Sequence, residues 1–332
     1  MKRRWFLSPG LVLFFLSPVI GELLSGSAPP AEFFNPLGFV MLAILYGGGA
    51  ILVREMSYRW GKGWLTLLIL GAAYGIAEEG LMCKSFFDPN WPDLGPLGSY
   101  GRWIGVNWVW ALELTIYHCV FSIAIPILLV GILFPARRRQ AWITKRELWL
   151  LFILWVENAA FIFLFISKFR PPVAHYLATM AVTAGLCALA WRMPNPAFGE
   201  KKKTVRAFWF LPVGFFGTVA LFALAWVVPH TGIHPLLTMV FQIGLVVLAG
   251  LGLLKMSGVG IGWSARHQLA LVSGALGFFI LLAPLQEMDK NRADNTTGMG
   301  IVGLVMAVFL ILLFLRVRSI EKGSAGSQLS CG

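Results

Sequence analysis

Glu78 and Glu79 stand side by side near the end of an apolar run, Trp64 to Cys83, that reads WLTLLILGAAYGIAEEGLMC. A carboxylate at bilayer depth costs about 2.5–3.5 kcal/mol on insertion scales, so two in succession call for a role. Paired carboxylates share protons readily, which suits them to general acid–base work on water. A later apolar run supplies His118, a residue that can orient such a base or stabilise a developing oxyanion. Glu78, Glu79 and His118 are therefore the candidate catalytic set. Secondary candidates are Glu22, Glu113, Glu157 with its neighbour Asn158, His175, and the cations Lys84 and Arg102. The sequence specifies neither a cofactor nor a metal. His230 and His234 have helical metal-pair spacing, but Gly232 and Pro235 disfavour a helix between them.

The elements that must position these residues are transmembrane helices. The chain is 58% hydrophobic and only 13% charged, half the charge of a soluble domain. Apolar runs of spanning length predict ten helices at about 5–24, 36–53, 64–83, 104–134, 148–167, 174–191, 207–228, 235–254, 268–286 and 298–315. The first also resembles a signal peptide, although Glu22 within it and Pro29 just after Gly26-Ser27-Ala28 argue against cleavage. With the N-terminus in the cytoplasm, 21 of the 27 Lys and Arg residues fall in cytoplasmic segments. That asymmetry predicts both termini inside and accounts for the net charge of +12 without nucleic acid. The expected fold is an all-α polytopic membrane protein. One transmembrane domain is expected over 1–320, with a disordered Ser/Gly-rich tail over 321–332. The bacterial cytoplasmic membrane is the expected location, with lipid as the surrounding partner.

At a rise of about 1.5 Å per residue, Glu78 and Glu79 lie roughly 21 Å from the cytoplasmic end of the third span, in the outer third of the bilayer. Glu22 and Glu113 fall at a similar level, His118 somewhat deeper, and Glu157 near the middle. Glu113 and His118 are five residues apart, about 140° around a helix, so one face does not present both. Gly71, Ala72, Ala73, Gly75 and Ala77 precede the acidic pair and let neighbouring helices approach closely, which makes the third span central. A long loop, Lys84 to Trp103, is too rich in Pro, Gly and Asp to be helical, and its aromatics suit the membrane interface.

Paired membrane glutamates followed by histidine on later spans resemble the glutamate-type intramembrane proteases. The CAAX-processing and bacteriocin-processing family carries Glu-Glu-x-x-x-Arg before its histidines. Here Cys83 stands at the Arg position, with Lys84 one residue later, and His118 takes the place of the first histidine. The PrsW-like family adds a Glu-Asn pair and a histidine helix, similar to Glu157-Asn158 and to Ala174-His175. The resemblance spans about 64–190 and implies peptide hydrolysis, with a membrane-embedded peptide or small molecule as substrate. Buried acids equally mark proton and ion pathways, so a secondary transporter or proton-coupled permease with an outward-facing acidic pocket is the alternative. A non-catalytic assembly partner is the third reading.

Overall fold

A computed structural model describes residues 8–195, 204–258 and 263–329, with side chains described as far as residue 321. Among the described residues, nine helices are long and apolar enough to cross a membrane: α2 Pro36–Arg59, α3 Trp64–Met82, α4 Trp108–Leu133, α5 Lys145–Ile166, α6 Val173–Arg192, α7 Ala207–His230, α8 Pro235–Met256, α9 Ala265–Met288 and α10, whose spanning part is Met299–Glu321. A shorter apolar helix, α1 Pro9–Leu23, precedes them. The fold is thus an all-α polytopic membrane protein. Its first apolar run yields the shorter α1 rather than a tenth full-length span among the described residues.

Helix starts follow local chemistry. Ser8 Oγ accepts from Leu11 N at 3.2 Å, and Asn35 Oδ1 accepts from Leu37 N and Gly38 N ahead of Pro36. Thr144 and Glu147 form a reciprocal capping box at the start of α5. Each device satisfies amides that a helix end leaves open.

The chain divides into two compact units. The first comprises Met1–Glu22, Glu32–Pro196 and Leu221–Gly244. Its apolar core includes Leu13, Ile51, Leu70, Tyr74, Ile123 and Ile127, drawn from α1 to α4. The helices meet at close range where glycines line them. A Cβ added at Gly47 would lie 2.0 Å from Phe14 O, and one at Gly49 would lie 2.1 Å from the Tyr74 ring. In the second unit, Leu23–Ala31, Ala197–Ala220 and Leu245–Gly332, α7 and α9 cross at Gly214 and Gly274. A Cβ at Gly274 would come within 1.9 Å of Leu211 O. Glu287 caps the start of α10 by accepting from Gly298 N at 3.0 Å and Gly300 N at 2.7 Å. The final helix runs Met299–Leu329, and 330–332 lie outside the described residues.

The loop after α3 is ordered. Strands β1 Arg102–Trp103 and β2 Val106–Asn107 pair antiparallel around Ile104-Gly105. Arg102 donates to the carbonyls of Phe87, Asp88 and Gly98, and Asn107 N donates to Phe86 O at 2.8 Å. Phe86, Phe87, Leu94, Leu97, Val106 and Val109 form its apolar core, so the aromatics fill the loop instead of forming only an interfacial belt.

Two stability changes test this packing. Gly47→Ala places a methyl against backbone that has no rotamer to move, and is expected to cost about 1–3 kcal/mol in reversible denaturation in detergent. Undiminished stability would contradict the close crossing. Ile104 has φ +54° and is 81% exposed at the hairpin tip. Left-handed backbone costs a side-chain-bearing residue roughly 1–2 kcal/mol. Ile104→Asn creates the Asn-Gly pair that suits this turn and is expected to stabilise by about 1 kcal/mol in the same assay.

Candidate functional site

Four helices of the first unit widen where polar side chains meet. The π-helical turns are Val19–Leu23 in α1, Ala43–Gly48 in α2, Glu78–Met82 in α3 and His118–Ala124 in α4. They carry Glu22, Tyr46, the pair Glu78 and Glu79, and His118 with Ser122. Such turns are rare and concentrate at functional sites. A further π-helical turn, Ile162–Ile166, ends α5.

His118 is the centre of the group. Its Nε2 lies 2.9 Å from Glu79 Oε1, and its Nδ1 lies 3.0 Å from Ser122 Oγ and 3.3 Å from Glu78 Oε2. All three residues are buried, with exposures of 1% for Glu78, 7% for Glu79 and 2% for His118. Ser85 Oγ donates to Glu79 Oε2 and accepts from Trp110 Nε1 at 3.1 Å, which ties the loop after α3 to the site. Glu22 is partly buried and accepts from the Tyr46 hydroxyl. Tyr46, Tyr74 and Tyr117 wall the imidazole, their ring centroids 5.8, 6.3 and 5.2 Å from it. Tyr117 donates to Gly21 O at 2.6 Å, and Tyr74 to Leu45 O at 3.2 Å, so both walls are anchored on neighbouring helices. Gly75 permits this arrangement, since a Cβ there would lie 3.0 Å from His118 Cβ.

One ligand atom from each of Glu78, Glu79 and His118 can be chosen so that all lie within 4.8 Å of one another. This is the one such metal-competent group among the described residues, so His230 and His234 do not form a second. The three side chains can bind a divalent cation or hold a shared proton, and either state can activate water.

The secondary candidates separate from this group. Glu113 is buried and its Oε2 accepts from Gln242 Nε2 at 2.8 Å, while Arg102 serves the loop carbonyls. The five-residue offset turns Glu113 toward α8 and His118 toward α3. Glu157 is exposed on α5, while Asn158 is buried and donates to Met41 O at 3.1 Å, an interhelical clamp. His175 is half-buried, with Nε2 2.9 Å from Ile104 O and its ring 5.1 Å from that of Phe87, so it supports the hairpin. Lys84 is fully buried but turns away, donating to Phe163 O at 3.0 Å and Ser167 O at 2.6 Å. It thereby satisfies carbonyls at the C-terminal end of α5.

Glu55 was not among the sequence candidates, because the apolar run was ended at residue 53. It is fully buried, pairs with Arg54, and accepts from Arg59 Nε at 3.1 Å and Trp142 N at 2.9 Å. Arg54 also lies 3.9 Å from the centroid of the Trp142 ring. The group pins the loop after α4 to α2, a structural task. Tyr46, Ser85 and Ser122 were also missed, since each is an ordinary residue in an apolar sequence. The polar serine in an otherwise apolar turn four residues after His118 is the one available signal.

The helical fold and its buried polar centre define a multi-pass integral membrane protein. The chain matches the profile of an uncharacterised membrane protein family over residues 11–234 and belongs to that family. The matched segment contains every residue of the polar centre. A relative from Archaeoglobus fulgidus (strain ATCC 49558 / DSM 4304 / JCM 9628 / NBRC 100126 / VC-16), described as an "Uncharacterized protein", is 27% identical over 127 residues. That alignment covers 38% of each chain, so this chain spans well under half the length of the relative it matches. No solved structure matches the chain.

Burial, and then the nearby Arg170 guanidinium, push the Lys84 ammonium down to about 8 from its ordinary 10.5. Between those two values the unfolded chain holds a proton that the folded chain has released, so stability contributed by this group rises with pH. The unfolding free energy of the native chain, relative to Lys84→Met, is expected to increase from about pH 8 to 10.5 and to stay level below pH 7. A difference independent of pH would show that Lys84 is charged throughout.

Proposed function

We propose that the protein is an intramembrane hydrolase that activates water between Glu78, Glu79 and His118, in the outer half of a prokaryotic cytoplasmic membrane. The observation that carries this reading is His118, held at 2.9 Å from Glu79 and 3.3 Å from Glu78 within one buried centre. A glutamate removes a proton from water, and the resulting hydroxide attacks the substrate carbonyl. His118 stabilises the oxyanion as it forms, the C–N bond breaks, and the proton passes from the glutamate to the leaving amine. Ser122 and Ser85 fix the imidazole and Glu79, and the tyrosine walls limit competing water. The substrate class is a membrane-embedded peptide or small amide. The resemblance of Glu78-Glu79 and His118 to glutamate-type intramembrane proteases supports the same chemistry.

Proton-linked transport is the competing reading of a buried acidic centre. Glu157, the acid that would have extended the centre toward the other side of the bilayer, is exposed on α5 and does not continue it. In proteoliposomes, Glu79→Gln and His118→Ala are expected to lower cleavage of a transmembrane peptide library at least 100-fold. Glu157→Gln should leave it unchanged. Absence of cleavage by the native chain, together with uptake that collapses a proton gradient, would sink the hydrolase reading in favour of transport.

A further inference from the structure

We infer that Glu78, Glu79 and His118 form a mononuclear divalent-metal site, of the kind that holds zinc or manganese. The inference rests on the hydrolase reading only for its consequence, because the binding site stands on geometry alone.

The first argument is charge. Within this centre two buried carboxylates face one imidazole, with a third carboxylate, Glu22, held by Tyr46 beside it. Among the described residues no Lys or Arg side chain is seen to pair with them: Lys84 is turned to the α5 carbonyls, and Arg54 is committed to Glu55. Buried charges are paired or coordinate metals, because an uncompensated carboxylate in an apolar medium is prohibitively costly.

The second argument is an unsatisfied atom. Glu78 Oε2 is fully buried and receives no hydrogen bond. Its nearest basic neighbour, His118 Nδ1, is also within hydrogen-bond reach of Ser122 Oγ at 3.0 Å. Donation from Nδ1 to that hydroxyl leaves the Nε2 lone pair facing Glu79 Oε1 at 2.9 Å. Two lone pairs at that distance repel unless a cation is shared between them. Atoms bound to one ion at about 2.1 Å, at angles from square to tetrahedral, stand about 3.0–3.4 Å apart. The spacing of imidazole nitrogen and carboxylate oxygen is therefore close to that of ligands on one ion.

The third argument is the donor set and its support. One imidazole and two carboxylates suit borderline and hard divalent ions. Three protein ligands leave a position open for water, the mark of a catalytic rather than a structural site. Both orienting contacts that such sites use are present: Ser122 on the distal ring nitrogen of His118, and Ser85 on the second oxygen of Glu79. With an ion held there, the ion would take over from His118 the stabilisation of the oxyanion, and Glu78 would keep a carboxylate oxygen to take the proton from water.

The test uses the full chain, purified in detergent after chelation and reloaded with zinc or manganese alone. Elemental analysis is expected to find one ion per chain. Glu79→Gln and His118→Gln should each weaken binding at least 10-fold, and Glu157→Gln should not. Cobalt loading should give a visible d–d absorption band that vanishes in His118→Gln. Because a ligand variant can misfold, the native chain carries a parallel measurement: its Tm should rise on adding metal and fall again with chelator. Substoichiometric metal, binding indifferent to the ligand variants, or a Tm indifferent to both additions would each overturn the site. Metal bound at one per chain without peptide cleavage would overturn the hydrolase reading alone. Cleavage that persists in the fully chelated chain would overturn the ion's part in catalysis alone.

Discussion

Two carboxylates and an imidazole placed inside a membrane bundle set the terms for everything around them. Lipid offers no water to solvate them, so every lone pair must meet a protein donor, a proton or an ion. The fold meets most of that demand locally, Glu78 Oε2 being the exception. Ser85 from the loop after α3 serves Glu79, Ser122 from the turn that carries His118 serves that imidazole, and Tyr46 from the α2 turn serves Glu22. Trp110 in turn holds Ser85, so the loop after α3 is organised by the same polar centre that it borders.

Accommodating the centre requires helices that approach closely yet open locally. Glycines at 47, 49 and 75 remove the side chains that would otherwise collide with Phe14 O, Tyr74 and His118. The wide turns at Val19–Leu23, Ala43–Gly48, Glu78–Met82 and His118–Ala124 then point polar groups inward. Close packing excludes water, which raises the strength of every electrostatic contact inside. A second polar group, Glu55 with Arg54 and Arg59, follows the opposite logic: its one carboxylate meets two guanidiniums, and it fastens a loop. The contrast between a carboxylate ion-paired to arginines and an acid-rich group separates scaffold from candidate site.

Much of the architecture could be read from composition. Apolar runs located the helices to within a few residues, because the length of a span is dictated by bilayer thickness. The acidic pair stood out for its cost, and a small-residue stripe identified α3 as central. What hydropathy does not carry is rotation about the helix axis. Glu157 was an attractive mid-membrane acid by depth, yet it faces outward while Asn158 faces in. Lys84 was one residue from a motif position, and backbone with φ +65° at that residue turns it toward α5 instead. Arg102, a candidate cation by type, is taken up by a folded loop that offers it three carbonyls. Tyr46 and Ser85 left no signature, and Ser122 only its place four residues after His118, because their types are common and only the fold brings them together. The order of the loop after α3 depends on such long-range contacts as well.

The π-helical turns have a consequence for how this centre relates to the bundle that holds it. Each such turn bonds i to i+5, one residue more than an α-helical turn, at nearly the same rise. Deleting a single residue from one of them would restore α-helical bonding and swing every side chain on one side of it by about 100° relative to the other. Hydropathy and span length would hardly change. A chain with the same apolar profile but without these four extra residues would carry the same acids and imidazole on faces that no longer meet. Chemistry in this architecture is then a matter of helix register as well as of residue type, something that insertion and deletion can create or erase without touching the reactive side chains.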